Sequence, residues 1–184
     1  MLYTRKGDRG KTGTFGCDQR VSKSSKIAEA LGTLDEINSY LGLCKIKAKK
    51  QGLVIFGGDS LASLIGDVQK DLFIIQAEIA GSEKTMTSEK VTSLEIVIDW
   101  AEKELPPIKS FFISGGTKLA AMFDFARTLA RRAERRVVEV MEEGKTKVGE
   151  NTLAYLNRLS SLLYALARLA NHVSGITEDS PDYK

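Results

Sequence analysis

Glu29-Ala30-Leu31-Gly32-Thr33-Leu34-Asp35-Glu36-Ile37-Asn38-Ser39 is the stretch that decides the fold. Ala30, Leu34 and Ile37 are spaced by four and three, and the same spacing continues through Leu41, Cys44 and Ala48. That rhythm draws one apolar stripe on a helix beginning near Ser24. Downstream, Gly52 and Gly57-Gly58 punctuate the chain, and Leu61, Leu64, Val68, Leu72, Ile75 and Ile79 mark a second helix that ends at Gly81-Ser82. Thr87 is placed to cap a third, with Val91, Leu94, Ile98 and Trp100-Ala101 apolar and Pro106-Pro107 as its stop. Phe111-Phe112-Ile113 leads through Ser114-Gly115-Gly116-Thr117 into a fourth helix, which runs to about Glu143 with Gly144 as its cap. The fifth runs from near Gly149 to about Val173.

Upstream, residues 1–23 are rich in Gly, Lys, Arg, Thr and Ser and keep no sustained period. The expected organisation is a single domain over 1–184. It comprises an arm (1–23), an all-α bundle (24–173) and a tail (174–184) whose Glu178, Asp179 and Asp182 offer little that could pack. No pair of strands and no internal repeat is evident.

The 184 residues suffice for one core without disulfides. Apolar residues make up 42% and charged residues 28%, which excludes disordered and fibrous classes. A net charge of +3 is too small to argue for nucleic acid by itself. Cys17 and Cys44 form no Cys-x-x-Cys pair, and His172 is the single histidine, so a disulfide framework and a His-rich metal centre are excluded. Cys17 reads as a loop thiol and Cys44 as a small core residue. The start has no apolar signal core, and no apolar run approaches the ~18 residues of a membrane span. A reduced, cytoplasmic protein with no membrane partner is the expectation.

The fourth helix carries Arg127, Arg131, Arg132, Glu134, Arg135 and Arg136. With Arg127 at zero, Arg131 falls at about 40°, Glu134 at about 340° and Arg135 at about 80° on a helical wheel. Met122, Ala126, Ala130, Ala133, Val137 and Val140 cluster at about 260°. Arg127, Arg131 and Glu134 thus share a stripe at the edge of the buried face, with Arg132 and Arg136 at the other edge. A charge run is usually a solvated face. Here five arginines face one glutamate over a few turns, a density that favours a nearby anion, and arginine suits paired contacts to oxygens.

On the fifth helix, Leu156, Leu159, Leu163, Leu166 and Ala170 form a core line. Beside it runs a polar row of Asn157, Ser160, Tyr164, Arg168 and Asn171, suited to a cleft, a subunit contact or plain solvent. Gly10-Lys11-Thr12 imitates the end of a P-loop, but Arg5 stands where that motif needs glycine and no strand precedes it. The arm is still phosphate-friendly, with backbone N–H groups freed by glycine and the cations Arg5, Lys6 and Lys11. A frayed terminus is the commoner fate of such a segment. His172 reads as a favourable group at a helix C-terminus or an interface residue.

Four ordered motifs resemble the PduO-type ATP:cob(I)alamin (corrinoid) adenosyltransferases: Tyr3 to Thr12, Glu29 to Ser39, Phe111 to Thr117 with Arg127 to Arg136, and Asn157-Arg158-Leu159-Ser160. The resemblance implies a ferritin-like five-helix bundle with left-handed up-down packing, assembled as a homotrimer with ATP bound between subunits. It implies that Thr4, Arg5, Lys6, Gly7, Thr12, Gly13 and Lys23 hold the triphosphate, with Mg²⁺. It gives nucleotide contacts to Arg131, Arg132, Ala133, Glu134, Arg135 and Asn157. Arg127 would contact phosphate and pair with Asp35 of an adjacent subunit, and Phe111 would be an apolar wedge at the lower face of cobalamin. No metal ligand is implied for the protein itself. The chain departs from the family pattern at Ser114, Ser161 and Ile27, where a proline, an aspartate and a basic residue are usual.

The implied reaction suits the composition. Co(I) is itself the nucleophile that attacks the ribose 5′ carbon of ATP, so no Ser-His or Cys-His pair is needed. The leaving triphosphate needs cations, which the chain has. Removing cobalt's lower axial donor eases reduction of Co(II), because a donor stabilises the higher oxidation state. The resemblance admits a flavin-type reductase and a cobalamin-dependent acceptor enzyme as partners. The alternative is a basic helical module binding nucleic-acid phosphates, which has no use for the Asp35 motif or Asn157. A ferritin-like metal enzyme would need Glu-x-x-His pairs, and none occurs.

Overall fold

The computed structural model describes residues 3–14 and 20–183. Its helices are α1 (Lys26–Gln51), α2 (Leu61–Ile79), α3 (Ser88–Glu104), α4 (Lys118–Glu143) and α5 (Glu150–His172). Ser25, Ser60 and Thr117 each cap the helix they precede with a side-chain oxygen, and Gly52 and Gly144 close α1 and α4 in the left-handed conformation. Thr87 stands at the start of α3 but makes no cap bond. Its hydroxyl engages the Glu89 carboxylate instead, which helps hold that group below its usual range.

The bundle matches the reading by helical period, with one correction in the arm. Two short strands, β1 (Lys11–Gly13) and β2 (Arg20–Ser22), pair antiparallel with Thr12 opposite Val21. Strands of three residues are too short for alternation to show in a sequence. The pairing is reinforced by the Arg20 guanidinium, which donates to the carbonyls of Lys6 and Lys11. Cys17 lies outside the described residues.

α1 packs against α2 and α4, and α5 against α4 and α3. Polar bonds from α5 to α2 close the ring: the Tyr155 hydroxyl donates to Asp71 Oδ2 at 3.0 Å, and the Thr152 hydroxyl to Glu78 Oε2 at 2.6 Å. The whole α1 stripe from Ala30 to Ala48 is buried. Burial pushes the Cys44 thiol up to about 12, which leaves it an inert core residue. On α3 the core position falls to Val97, with Ile98 and Trp100 only partly buried. α3 is an outer helix, so its buried stripe is narrow.

Glu78 is the polar centre of this end of the bundle. It is only 4% exposed, and its carboxylate accepts from Gly149 N at 2.6 Å, Thr152 Oγ1 at 2.6 Å and Met86 N at 3.3 Å. Gly149 precedes α5 as its N-cap residue and no side chain caps that helix, but Glu78 of α2 holds the Gly149 N–H and the Thr152 hydroxyl at its start. Glu78→Gln keeps the shape but turns one acceptor into a donor facing N–H groups. Losing charge-assisted bonds at a buried site is expected to cost about 2–4 kcal/mol, read as a lower midpoint in denaturant unfolding with an unchanged slope.

Candidate active site

The arginines of α4 are sorted by their surroundings. Arg132 is tied to Glu36 on α1, and Arg136 pairs with Glu139 at 2.8 Å and Glu29 at 3.6 Å. These two are therefore matched inside the chain, which corrects the expectation of a largely unmatched run. Ala133 is 0% exposed. Its side chain faces the core, and only its backbone is left for a ligand.

Arg131 and Arg135 are exposed, and with Glu134 and Asn157 they line a recess of about 300 Å³. Asn157 Nδ2 donates to Glu134 Oε1 at 3.1 Å. Arg158 in turn donates to Asn157 Oδ1 at 2.8 Å and is anchored by Glu95 at 2.8 Å. This chain of bonds orients Asn157 and Glu134. Arg135 Nη1 donates to Arg131 O at 3.1 Å, but among the described residues no carboxylate pairs with Arg131 or Arg135, so both charges are left for an anion.

One turn earlier on α4, about 6 Å along the axis, Arg127 lies beside a second recess of about 540 Å³. Its guanidinium sits 5.9 Å from the centre of the Tyr164 ring. Its Nε is buried without a hydrogen-bond partner. Phe111 shares this recess and is 79% exposed. The segment carrying it is fixed on the far side: Asp124 Oδ2 accepts from Gly115 N at 3.1 Å, and Asn171 spans Gly115 O and Thr117 N at 3.0 and 2.9 Å. Burial raises the Asp124 carboxyl above its usual range, against the pull of the Gly115 N–H and Arg127. Gly116 has φ +87, and a Cβ there would lie 2.4 Å from Asn171 Oδ1, so only glycine fits.

The polar row of α5 is thus no single cleft. Asn157 is exposed, while Ser160, Arg168 and Asn171 are buried. The tail is also corrected, because residues after α5 bond back to the Phe111 segment: Ile113 N donates to Asp179 O at 2.8 Å. Sequence reasoning singled out Arg168 and Asn171 as polar but could not see that they hold a loop about 60 residues upstream.

Asp35 is exposed. Leu34, Ile37 and Asn38 take the inward directions and turn Asp35 toward a groove of about 860 Å³. Gly13 and Thr14 of the arm, Gly32 and Phe73 line the same groove. Asp35 and Arg127 face separate recesses and form no ion pair within the chain.

The arm residues cluster on the Asp35 side of the molecule. Thr4 Oγ1 accepts from Lys6 N at 3.4 Å, Arg5 takes the uncommon φ of 57°, and Gly7 accepts from Gly10 N at 3.2 Å. Lys23 N donates to Gly10 O at 2.9 Å, and Lys23 Nζ lies 3.2 Å from where a Gly7 Cβ would stand. Arg5, Lys6, Gly7 and Lys23 therefore form one cationic turn. Gly10-Lys11-Thr12 enters a strand rather than a helix, in keeping with rejection of the P-loop.

The helical bundle thus carries an arginine-lined recess suited to an anion and, one turn away along α4, a second recess that holds an exposed phenylalanine. The family model described as Cobalamin adenosyltransferase matches residues 2–170. The chain is 42% identical to corrinoid adenosyltransferase PduO of Citrobacter freundii, over 93% of its own length and 50% of that protein. It is 39% identical to corrinoid adenosyltransferase of Bacillus subtilis (strain 168), over 95% of its length and 89% of that protein. The chain thus spans half the length of the first relative and most of the second. A phenylalanine-to-histidine variant of the PduO-type ATP:corrinoid adenosyltransferase of Lactobacillus reuteri, complexed with cobalamin and ATP, superposes with a TM-score of 0.87 at 29% identity, covering 100% of this chain and 97% of that one. The chain belongs to the cobalamin adenosyltransferase family. Among the described residues no helix is long and apolar enough to cross a membrane.

Proposed function

We propose that this chain transfers the 5′-deoxyadenosyl group of ATP to a corrinoid carrying Co(I), releasing triphosphate. The observation that carries this reading is the placement of Arg127 and Arg131 on successive turns of α4. It joins the Phe111 recess to the Glu134–Arg135–Asn157 recess. The electron pair of Co(I) forms the bond to the ribose 5′ carbon as the carbon–oxygen bond breaks and the pair leaves on the triphosphate. Arg127, Arg131 and Arg135 stabilise that growing charge, while Glu134 and Asn157 orient the nucleoside. Phe111 covers the lower corrin face and keeps an axial donor off cobalt.

The groove lined by Asp35 with Gly13 and Thr14 of the arm shares no residue with the two α4 recesses. We propose a homotrimer in which the arm and Asp35 of one subunit complete the recesses of the next. Arg127, whose Nε has no hydrogen-bond partner among the described residues, would then meet Asp35 of the partner subunit. Among the described residues no three His, Cys, Asp or Glu side chains converge as a metal site. Mg²⁺ would therefore enter on the triphosphate, whose oxygens are the hard ligands it prefers. We place the protein in the reducing cytoplasm, with an external reductase such as a flavin-type protein supplying the electron and a cobalamin-dependent enzyme taking the product.

The test is anaerobic mixing with ATP and reduced cobalamin, following the corrin spectrum and triphosphate release together. Spectral change without stoichiometric triphosphate would sink the reaction. The nucleic-acid reading loses its support, because Arg132, Arg136 and Arg158 are matched to carboxylates within the chain. The arm supplies a further expected outcome: saturating MgATP should slow amide exchange at Lys11–Gly13 and Arg20–Ser22. Short exposed strands open easily without a ligand. Equal exchange with and without nucleotide would remove the arm from the site.

A further inference from the structure

Phe111 is 79% exposed, so its own packing does not fix its position. Its neighbours do, and most of their partners come from the segment after α5. Arg168 on α5 is 6% exposed. Its Nε donates to Glu178 Oε2 at 2.9 Å, its Nη2 donates to Pro106 O at 3.0 Å, and its carbon centre stands 5.0 Å from the centre of the Phe112 ring. One guanidinium thus engages the strap, the start of the 106–117 loop and the residue next to Phe111. The strap reaches further along the same loop: Ser180 Oγ bonds Ser110 Oγ at 2.7 Å, and Asp179 O accepts from Ile113 N at 2.8 Å. Ser110, Phe112 and Ile113 bracket Phe111 on both sides.

We propose that Arg168, through Glu178 and the strap residues Asp179 and Ser180, is a positioning residue that sets the location of Phe111 and so governs the corrinoid half of the site. Arg168 does not line the recess shared by Phe111 and Arg127 and acts only through the loop. The geometry requires an arginine. Two edges of a planar guanidinium serve Glu178 and Pro106 while its face meets the Phe112 ring, and lysine has neither the second edge nor the face. A ring held by its flanks loses its setting when they are released, and displacement of a reacting group by about 1 Å is enough to cost turnover. The lining of the proposed ATP recess, with Arg131, Glu134, Arg135 and Asn157, includes neither Arg168 nor any strap residue.

This inference rests on the assignment of Phe111 as the wedge, so the experiment includes Phe111→Ala beside Arg168→Lys, Glu178→Gln and a chain ending at Gly175. Circular dichroism and thermal melts establish that each variant folds, and the isosteric Glu178→Gln carries the test if the shortened chain does not. Each is examined for ATP affinity by calorimetry, for KM toward cobalamin, and for the fraction of bound Co(II) in the four-coordinate state by electron paramagnetic resonance with ATP present. The strap variants are expected to keep ATP affinity within about twofold, to raise the cobalamin KM by about tenfold or more, and to lose four-coordinate Co(II) as Phe111→Ala does. Lost ATP affinity in step with lost corrinoid binding would indicate general loosening and overturn the proposal. So would strap variants with wild-type Co(II) spectra and KM while Phe111→Ala changes both. If Phe111→Ala itself changes neither, the wedge assignment fails, and the role of Arg168 with it.

Discussion

Arg127→Lys is expected to abolish most turnover while leaving the monomer folded. Arg127 is partly buried against Tyr164, its Nε has no hydrogen-bond partner among the described residues, and Asp35 faces outward into a different recess. Neither Arg127 nor Asp35 has an ion-pair partner within 4 Å among the described residues, and the proposed trimer joins them. Removing one member of a sequestered pair strands the other at a cost of about 3–5 kcal/mol, or roughly two to four decades in rate if it is felt wholly in the transition state. Lysine keeps the charge but cannot present two parallel N–H groups to a carboxylate or a phosphate. Asp35→Asn should be similarly impaired although its own chain is intact. The decisive measurement mixes the two inactive variants under subunit exchange. Some boundaries then rebuild a site with both native residues, and activity should partly recover. If mass spectrometry demonstrates exchange and activity stays at the single-variant level, Asp35 and Arg127 do not share a site.

Phe111→Ala should slow turnover that starts from Co(II) by roughly 10- to 100-fold, the equivalent of the about 1.5–3 kcal/mol gained when an exposed phenyl ring is buried. The ring is already turned outward beside Arg127, and no charged residue depends on it. ATP affinity should therefore hold, and turnover from chemically prepared Co(I) should suffer less than turnover from Co(II), because the ring acts on axial ligation. A variant that loses ATP binding and retains the wild-type cobalt spectrum would refute the wedge.

Much of the bundle was legible because helical period is local. Ala30, Leu34, Ile37, Leu41, Cys44 and Ala48 recur at the pitch of a helix, and one buried side is all that spacing needs to report. Gly144 and Pro106-Pro107 announce helix ends for equally local reasons. The β1–β2 pair escaped because three-residue strands show no alternation, and Val97 displaced Ile98 because the width of a stripe depends on how many neighbours a helix has. The arginine run could be read as anion-binding. Which arginines are free was only partly legible: Glu139 stands three residues from Arg136, but Glu36, which neutralises Arg132 across a helix contact, lies 96 residues away.

What the sequence determined by itself was the number and limits of the long helices, the chemistry available on α4 and, through four ordered motifs, the family. Tertiary structure alone decided the rest. It turned Asp35 toward the groove lined by Gly13 and Thr14 of the arm, and set Arg127 against Tyr164 of α5. It made Glu78 an anchor for the start of a helix some seventy residues later, and folded Glu178 back onto Arg168 to hold the Phe111 loop. Each of these is a contact between residues far apart in the chain, fixed by which helix faces meet when the core closes, and no local pattern of residue types records it.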